Sequence, residues 1–262
     1  MLDGSAEGSE PAAFRRRLLR IFETFVAAIR RPRIVAIARR VAEFLSQTAK
    51  AEIKVLSQIE DIRNQGAEIR IRLRELLRCH EYPSDTKIAF LTGYVDIALE
   101  HHEAISLLVD SKLCGSAFAL VRPLVETVFL ALWINKGADE TQIEKASQDK
   151  LQFPRLSQML AEIDQNYATD NFFQSLELAW RAMCSYTHSG SLQIARRFTN
   201  GEVKPNYSDA EILEALNATT TALILLTRMF FVSMGCHGDA VETQNMMLKY
   251  GAAQNRGDSL SD

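Results

Sequence analysis

Residues that interrupt helices are scarce in this sequence. Only 12 glycines and 6 prolines occur among 262 residues, which leaves long stretches without a breaker. The common residues, leucine, alanine, isoleucine, glutamate and arginine, mostly favour helices. Because 47% of the residues are hydrophobic and 24% are charged, a sizeable core is expected. With no convincing strand hairpin and no clear repeat, the sequence predicts an all-α protein, a helical bundle with a long N-terminal helical arm.

Cysteine is also sparse, and its spacing argues against a metal site. The four cysteines are far apart and form no Cys-x-x-Cys pair: Cys79, Cys114, Cys184 and Cys236. This pattern is unlike that of zinc sites and fits a reducing cytoplasm. His101 and His102 are adjacent on a predicted helix and therefore point in different directions. The phosphate-binding glycine loop, the nucleophile elbow and the dinucleotide fingerprint are all missing. We expect no metal and no cofactor.

Uninterrupted hydrophobic runs of transmembrane length are absent as well. Residues 117–134 contain Arg122 and Glu126, and residues 218–235 contain Arg228. A membrane-spanning helix needs about 20 predominantly apolar residues, so both stretches are interpreted as buried helices. The first residues are acidic and small, unlike a secretory signal. These features predict a soluble cytoplasmic protein with no transmembrane segment.

Basic residues are concentrated near the N-terminus, although the net charge of the chain is only -3. Ten lysines and arginines lie between positions 14 and 50, where only Glu23 and Glu43 oppose them. The remainder of the chain is acidic. A basic segment of this kind is suited to RNA, to a membrane surface or to the acidic body of the same protein.

Apolar residues recur every three or four positions from Ile34 to Leu76, a spacing typical of a helix packed on another helix. One interpretation is a long amphipathic helix packed on the core, and the other is an arm that pairs two chains. Thr48, Ala51 and Gly66 weaken a coiled coil and favour the first. We expect disordered residues 1–13, a basic N-terminal helical arm over 14–69, a helical bundle over 70–250 and a disordered tail over 251–262.

Turn and capping residues divide the predicted bundle into successive helices. Asp85 is expected to cap a helix over 86–109, and the Ser208-Asp209 pair a last long helix ending near Gly235. Between them, helices are predicted over 111–134, 139–150, 155–163 and 171–187. Residues 192–198 are compatible with either a helix or an extended segment.

Two ionised residues interrupt the apolar helix predicted over 111–134. Arg122 and Glu126 are four residues apart and share a helical face. Burying either charge alone is costly, so both are expected to find partners or to line a cavity. The two interpretations are an ion pair that ties the helix to its neighbours and a cleft that binds an anion or a polar ligand.

A second candidate group surrounds the end of the helix predicted over 171–187. Arg181 and His188 are seven residues apart, which returns them to almost the same helical face. His188 is placed at the helix C-terminus, and Gly190 is suited to the left-handed stop. Positive charge follows closely in Arg196 and Arg197, with Gln193 just before them. One interpretation is a capping histidine and a solvated basic face. The other is that these residues, with Arg122, surround one phosphate.

The segment WRAMCSYTHSG resembles the HEPN-domain proteins, small helical bundles common in bacterial defence and toxin–antitoxin systems. Arg181 and His188 match their Arg-x(4–6)-His spacing. More broadly, ALVRPLVETVFLALWI, FPRLSQML and this helix end resemble an uncharacterised family of bacterial helical proteins, over roughly residues 70–234. Active HEPN members are metal-independent ribonucleases, often dimers with the site at the interface. The resemblance implies that His188 is the general acid or base at the ribose 2′-hydroxyl and that Arg181 stabilises charge on the phosphate.

Two classes of function are consistent with these features. The first is a cytoplasmic HEPN-like homodimer that binds RNA, and cleaves it if active, in bacterial stress or phage defence. Its catalytic residues are Arg181 and His188, and its binding residues are Arg122, Glu126, Tyr186, Gln193, Arg196 and Arg197. The second is a non-enzymatic interaction module that dimerises or recruits a cognate protein partner. A third hypothesis places nucleic-acid or membrane-surface binding in the basic arm alone.

Overall fold

The computed structural model describes residues 32–258, except for the side chains of 32–39, 41–53, 55 and 252–258. The predictions for residues 1–31, including disorder over 1–13, and for 259–262 lie outside the described residues. The chain divides into two compact units, Met1–Leu56 and Ser57–Asp262. The candidate site residues all belong to the second unit.

The first helix, α1, extends over Pro32–Arg78 without a break. The predicted boundary between arm and bundle at residues 69 and 70 therefore falls inside a continuous helix. Pro32 begins this helix, and after it the only breaker is Gly66. At Gly66 a methyl group would come within 3.1 Å of Thr220 Oγ1 and 3.2 Å of His102 Cε1. Glycine is thus favoured there by close packing, and the helix continues through it.

Two long helices follow, α2 over Thr86–Asp110 and α3 over Cys114–Lys136. Asp85 caps α2 as predicted, because its carboxylate accepts a hydrogen bond of 2.8 Å from the Ile88 amide. The apolar face of α3 is almost completely buried, with Leu124, Ala131 and Ile134 at 0% exposure. This burial confirms α3 as a core helix.

Four shorter helices come next: α4 over Glu140–Ser147, α5 over Leu156–Tyr167, α6 over Phe172–Ser175 and α7 over Glu177–Thr187. The prediction of one helix over 171–187 was wrong, because the chain is interrupted at Leu176. The buried carboxylate of Asp164 accepts bonds of 2.9 Å from the amides of Phe173 and Gln174, which fixes the start of α6. Asp164 also accepts a hydrogen bond from the Thr169 hydroxyl. Asp164 precedes Phe173 and Gln174 by nine and ten residues, which is too far for a local capping pattern to reveal it.

A short helix, α8 over Ser191–Ala195, leads into a two-stranded hairpin of β1, Phe198–Thr199, and β2, Glu202–Val203. Phe198 pairs with Val203 and Thr199 with Glu202 in antiparallel register. The expectation that the chain has no hairpin was wrong at this point. Asn200 and Gly201 both have positive φ, at 52° and 85°, as the Asn-Gly turn of a tight hairpin requires.

The last two helices are α9 over Asp209–Ser233 and α10 over His237–Asp258. Ser208 and Glu211 form a reciprocal capping box at the start of α9. The prediction of a disordered tail from residue 251 was wrong for 251–258, because α10 continues to Asp258. Tyr250 anchors this helix: it is buried, and its hydroxyl donates a hydrogen bond of 2.8 Å to Asn217 of α9.

The protein is all-α, as the sequence predicted, apart from the small hairpin. In the second unit, α2 and α3 pack along each other, and α9 packs against both of them and against α10. Helices α5 and α7 cover another side of α3. Helix α3 is therefore the centre of the packing.

Two helices of the described residues, Cys114–Lys136 and Asp209–Ser233, are long and apolar enough to cross a membrane by length and composition alone. In their most apolar windows, 56% and 61% of the residues are buried within the protein. Buried core helices of soluble proteins meet the same criterion, so the cytoplasmic location stays a prediction.

Candidate functional site

Arg122 lies at the packing face between α3 and α7 and contacts three side chains. Its guanidinium carbon lies 4.8 Å from the centroid of the Trp180 ring, a cation–π arrangement. One terminal nitrogen lies 3.5 Å from a carboxylate oxygen of Glu126. The side chain of Arg122 is 17% exposed and that of Glu126 is 43% exposed. The pair predicted on one helical face therefore forms, with the arginine mostly covered and the glutamate open to solvent.

His188 is the third partner of Arg122, through a hydrogen bond between Nη1 and the ring Nε2. A guanidinium only donates hydrogen bonds, so Nε2 accepts this one and carries no proton. His188 itself is exposed, directly after the end of α7. The Arg122 Nε is buried and has no hydrogen-bond partner among the residues that the structure describes.

Pro123 explains why the end of α7 docks at this point of α3. Proline has no backbone N–H, so the carbonyl of Ala119 lacks its usual donor four residues later. The Thr187 hydroxyl lies 3.0 Å from this carbonyl and 3.1 Å from the Met183 carbonyl of its own helix. Thr187 thus docks on the carbonyl that Pro123 leaves free. The residues beside these two, Arg122 and His188, are in contact with each other.

The turn that follows His188 is close to its predicted form, but the left-handed residue is Ser189 rather than Gly190. Ser189 has φ of 53°, whereas Gly190 has φ of -73°. Gly190 is needed for space, because a methyl group there would lie 2.6 Å from Ser185 Oγ. Its amide donates a hydrogen bond of 2.7 Å to the Ser185 carbonyl, which closes the helix end behind His188.

Arg181 lies apart from the contact between Arg122 and His188. Its side chain is 78% exposed, and its nearest charged partner is Glu177, 4.0 Å away on the same helix. Among the described residues there is no hydrogen bond between Arg181 and His188. Side chains on a helix lean toward its N-terminus, so Arg181 extends toward Glu177 and away from the C-terminal histidine. Arg181 and His188 lie at almost the same angle around the helix axis, but this does not bring their side chains together.

Tyr186 and Arg196 form a second cluster, which links the end of α7 to the start of α9. A hydrogen bond with Tyr186 raises the pKa of Arg196, and the nearby charge of Glu211 acts in the same direction. Arg196 donates to the Glu211 carboxylate and, over 3.3 Å, to the Asn206 carbonyl. Burial raises the pKa of Glu211, but bonds from Ser208 and Arg196 outweigh it and keep the pKa low. The Tyr186 ring packs 5.3 Å from Phe118 of α3.

Gln193 and Arg197 contact the first turn of α3. The Gln193 amide donates a bond of 3.0 Å to the Gly115 carbonyl and is buried. The Arg197 guanidinium lies over Gly115, where a methyl group would be only 2.3 Å from Nη2. Arg197 remains exposed to solvent.

The predicted binding residues thus meet one face of α3, but they do not converge on a point. Eleven residues separate Gly115, beside Arg197, from Glu126, which corresponds to about 16 Å of helix. A single phosphate cannot contact both ends of this row. We refer to the line of exposed and partly exposed side chains formed by Arg197, Arg122, Glu126 and His188 as the α3 row. Apart from the carboxylate of Glu126, its side chains are hydrogen-bond donors, and such a set is suited to an extended anion.

Trp180 belongs to this site and was not predicted. It supports the Arg122 guanidinium and packs 5.8 Å from Phe129 of α3. An aromatic residue within an amphipathic helix is usually part of the core, so the sequence contained no signal that this one lies under an arginine. A clue to the docking of α7 was Pro123, which leaves the Ala119 carbonyl of α3 free.

The chain belongs to DUF6988, a family of unknown function, whose model matches residues 95–252. The match contains the whole α3 row and both clusters beside it. It does not bear on the HEPN resemblance, which remains a prediction. Neither curated proteins nor solved structures showed a significant match to this chain.

Proposed function

We propose that this chain, a member of the DUF6988 family, binds RNA along the α3 row and cleaves it with His188 in bacterial stress or phage defence. The observation that carries the proposal is the contact between Arg122 and His188, two residues from separate helices. It pairs a phosphate-binding side chain with an exposed imidazole. That is the combination which metal-independent cleavage of RNA uses.

The length of the α3 row favours a polymer over a small anion. Arg197 at one end is exposed, and the side chain of Arg122 near the other is 17% exposed. An RNA strand carries a phosphate at every nucleotide, so successive phosphates can be contacted by residues several helical turns apart. The half-buried Trp180 ring holds the Arg122 guanidinium in place before any ligand arrives, which lowers the entropic cost of binding.

The proposed chemistry begins with an exchange of partners at Arg122. A phosphate of the bound RNA attracts the guanidinium and releases Nε2 of His188, whose lone pair then faces the adjacent ribose. His188 takes the 2′-hydroxyl proton as the 2′-oxygen attacks phosphorus. The bond to the 5′-oxygen breaks, and this oxygen takes a proton from water. The hydroxide that remains takes the proton from His188, which restores the base. The products are a 2′,3′-cyclic phosphate and a strand with a free 5′-hydroxyl. In this scheme Arg122, rather than Arg181, stabilises the charge on the phosphate.

RNA binding is tested by substitutions of exposed arginines that have the same charge change. We expect Arg197→Ala to weaken binding of single-stranded RNA by roughly threefold to tenfold and to reduce the salt dependence of the affinity by about one phosphate contact. Arg155→Ala, an exposed arginine at the start of α5, is the matched control and should leave both quantities unchanged. Fluorescence anisotropy of the full chain over a salt series measures them. Equal affinities for the two variants would remove the α3 row from the proposal.

The alternative of a dimerising module is favoured by apolar side chains exposed beside the same site. Those of Leu178 and Val203 are 79% and 82% exposed, and Phe172, Ile194 and Phe198 are each more than half exposed. All five lie within residues 172–203. Exposed apolar side chains concentrated in one segment are typical of interaction surfaces. In this function the segment pairs two copies of the chain, and the charged residues stabilise the fold.

A dimer through this segment predicts a selective loss of association. Leu178→Glu should raise the dissociation constant by about tenfold or more, because it places a charge in an apolar interface. Leu107→Glu, on α2 and 61% exposed, is the matched control and should remain dimeric. Sedimentation velocity of the full chain at several concentrations distinguishes them. A monomeric wild type at high concentration would contradict the alternative.

A further inference from the structure

A second group of reactive side chains lies away from the α3 row, at the start of α10. His80 follows the end of α1 by two residues. Cys236 and Asp239 come from the turn between α9 and α10 and from the first turn of α10. The turn is tight, since Gly235 has φ of 72°. The Cys236 amide donates to the Phe231 carbonyl over 2.9 Å, and its carbonyl accepts from the Ala240 amide over 3.0 Å. These two hydrogen bonds hold the backbone of Cys236, which carries the thiol, in a fixed position.

The three side chains form a compact triangle. His80 Nε2 lies 2.5 Å from Asp239 Oδ2, and His80 Nδ1 lies 3.6 Å from Cys236 Sγ. One ligand atom from each residue lies within 4.8 Å of the other two. The His80 ring packs 5.7 Å from Phe231, which restricts its rotation. The side chains of His80 and Asp239 are 25% and 24% exposed, so an ion has access from solvent.

Two kinds of chemistry use cysteine, histidine and aspartate together, a nucleophilic relay and a metal site. In a relay the carboxylate and the thiol lie on opposite sides of the imidazole, and the ring separates them. Here the carboxylate and the thiol contact different ring nitrogens, but a carboxylate oxygen and the sulfur lie within 4.8 Å of each other, close enough for one ion to contact both. That placement favours a shared ligand over a relay.

We propose that His80, Cys236 and Asp239 bind a zinc ion. With bonds of about 2.3 Å to sulfur and about 2.0 Å to nitrogen, a tetrahedral zinc separates these two ligand atoms by roughly 3.5 Å. The 3.6 Å between Cys236 Sγ and His80 Nδ1 agrees with that separation. The carboxylate of Asp239 turns from Nε2 to the ion as the third ligand, and water takes the fourth position. The thiol releases its proton when zinc binds.

Sequence spacing gave no indication of this site. His80 and Cys236 are 156 residues apart, so neither a Cys-x-x-Cys pair nor any other local motif is expected. A zinc ion here joins the segment after α1 to the turn between α9 and α10. It therefore contributes to the stability of the second unit independently of RNA binding.

Zinc binding is tested by isothermal titration of zinc chloride into the full chain, reduced and stripped of metal. We expect one ion per chain. His80→Ala, Cys236→Ser and Asp239→Asn should each weaken binding by roughly tenfold to a hundredfold or more. Cys79→Ser is the matched control: this thiol directly precedes His80 but is turned away, 3.3 Å from the Glu75 carbonyl. It should leave the affinity unchanged.

Cobalt substitution of the wild type keeps the test independent of how the variants fold. A thiolate-to-cobalt charge-transfer absorption that Cys236→Ser removes and Cys79→Ser retains would support the site. Failure of the wild type to bind zinc or cobalt at micromolar protein would overturn it. So would binding that survives Cys236→Ser, or a cysteine that reacts rapidly with alkylating agents and is unprotected by zinc, which would point to a nucleophilic relay.

Discussion

Replacing His188 with alanine is expected to abolish RNA cleavage while leaving the fold intact. A general base of this kind contributes roughly 10²- to 10⁴-fold to the rate, enough to bring cleavage to the background of most assays. The side chain is exposed and its hydrogen bond is to Arg122, so alanine removes no core packing. Any growth defect caused by the wild type should disappear with it.

The measurement is expression of the wild type and His188→Ala in bacteria, with growth and RNA integrity as readouts. Circular dichroism of the purified proteins establishes that both are folded. Retention of cleavage by a folded His188→Ala protein would eliminate the catalytic role. RNA binding without cleavage in the wild type would restrict the α3 row to a binding surface.

Arg181→Ala provides the matched comparison, because motif and geometry give opposite expectations. The HEPN resemblance assigns the phosphate to Arg181, which is 78% exposed and paired with Glu177. The geometry places Arg122 against His188 instead. We therefore expect Arg181→Ala to retain most of the activity and Arg122→Ala to lose it. The reverse result would restore the role implied by the resemblance.

The parts of the fold that sequence could predict are those set by local chemistry. Asp85 and Ser208 cap helices because their side chains accept bonds from amides two or three residues later. Helix α3 is buried because it is apolar on most of its faces, as the four consecutive buried residues 131–134 show. The contact of Arg122 with Glu126 likewise follows from four-residue spacing on one helix.

The parts that could not be predicted depend on residues distant in sequence. The interruption before α7 is held by Asp164, which caps α6 from the preceding helix. The docking of Thr187 on Ala119 needs a carbonyl that Pro123 leaves free 68 residues earlier. The seven-residue spacing puts Arg181 and His188 on one helical face, but helical side chains lean toward the N-terminus, so Arg181 lies beside Glu177 instead. The hairpin is different, since Asn200-Gly201 is a local signal of a turn, but strands of only two residues on each side are too short for an alternating pattern.

Acid should destabilise the second unit through a buried histidine that the proposed function does not use. His102 of α2 is 3% exposed. Its Nδ1 lies 3.4 Å from a terminal nitrogen of Arg70, and its Nε2 lies 2.9 Å from Thr220 Oγ1. The Thr220 hydroxyl donates to the Leu216 carbonyl, so it accepts from Nε2. Arg70 can only donate, so Nδ1 accepts. The neutral ring satisfies every partner.

Protonating His102 would place a second positive charge against Arg70 in a site closed to water. Burial, with a smaller contribution from Arg70, lowers the pKa of His102 from 6.5 to about 4. The unfolded chain keeps the ordinary value and binds the proton more readily. The contribution of His102 to stability is therefore complete above pH 6.5 and is lost as the pH falls toward 4. A shift of this size corresponds to about 3 kcal/mol of the free energy of unfolding.

Urea unfolding of the wild type and His102→Gln between pH 4 and pH 7.5 measures this contribution. Glutamine supplies both a donor and an acceptor but does not titrate. Over this pH range, the free energy of unfolding should therefore fall by about 3 kcal/mol less in the variant than in the wild type. Carboxylates titrate in both proteins and cancel in the difference. His101→Gln, at the neighbouring and partly exposed position, should keep the wild-type dependence. Parallel curves for the wild type and His102→Gln would show that His102 is not held neutral by its surroundings. The difference between the two free energies of unfolding is expected to grow steadily as the pH falls below 6.5. The reason is that the unfolded wild type binds a proton at His102 that the folded protein does not bind.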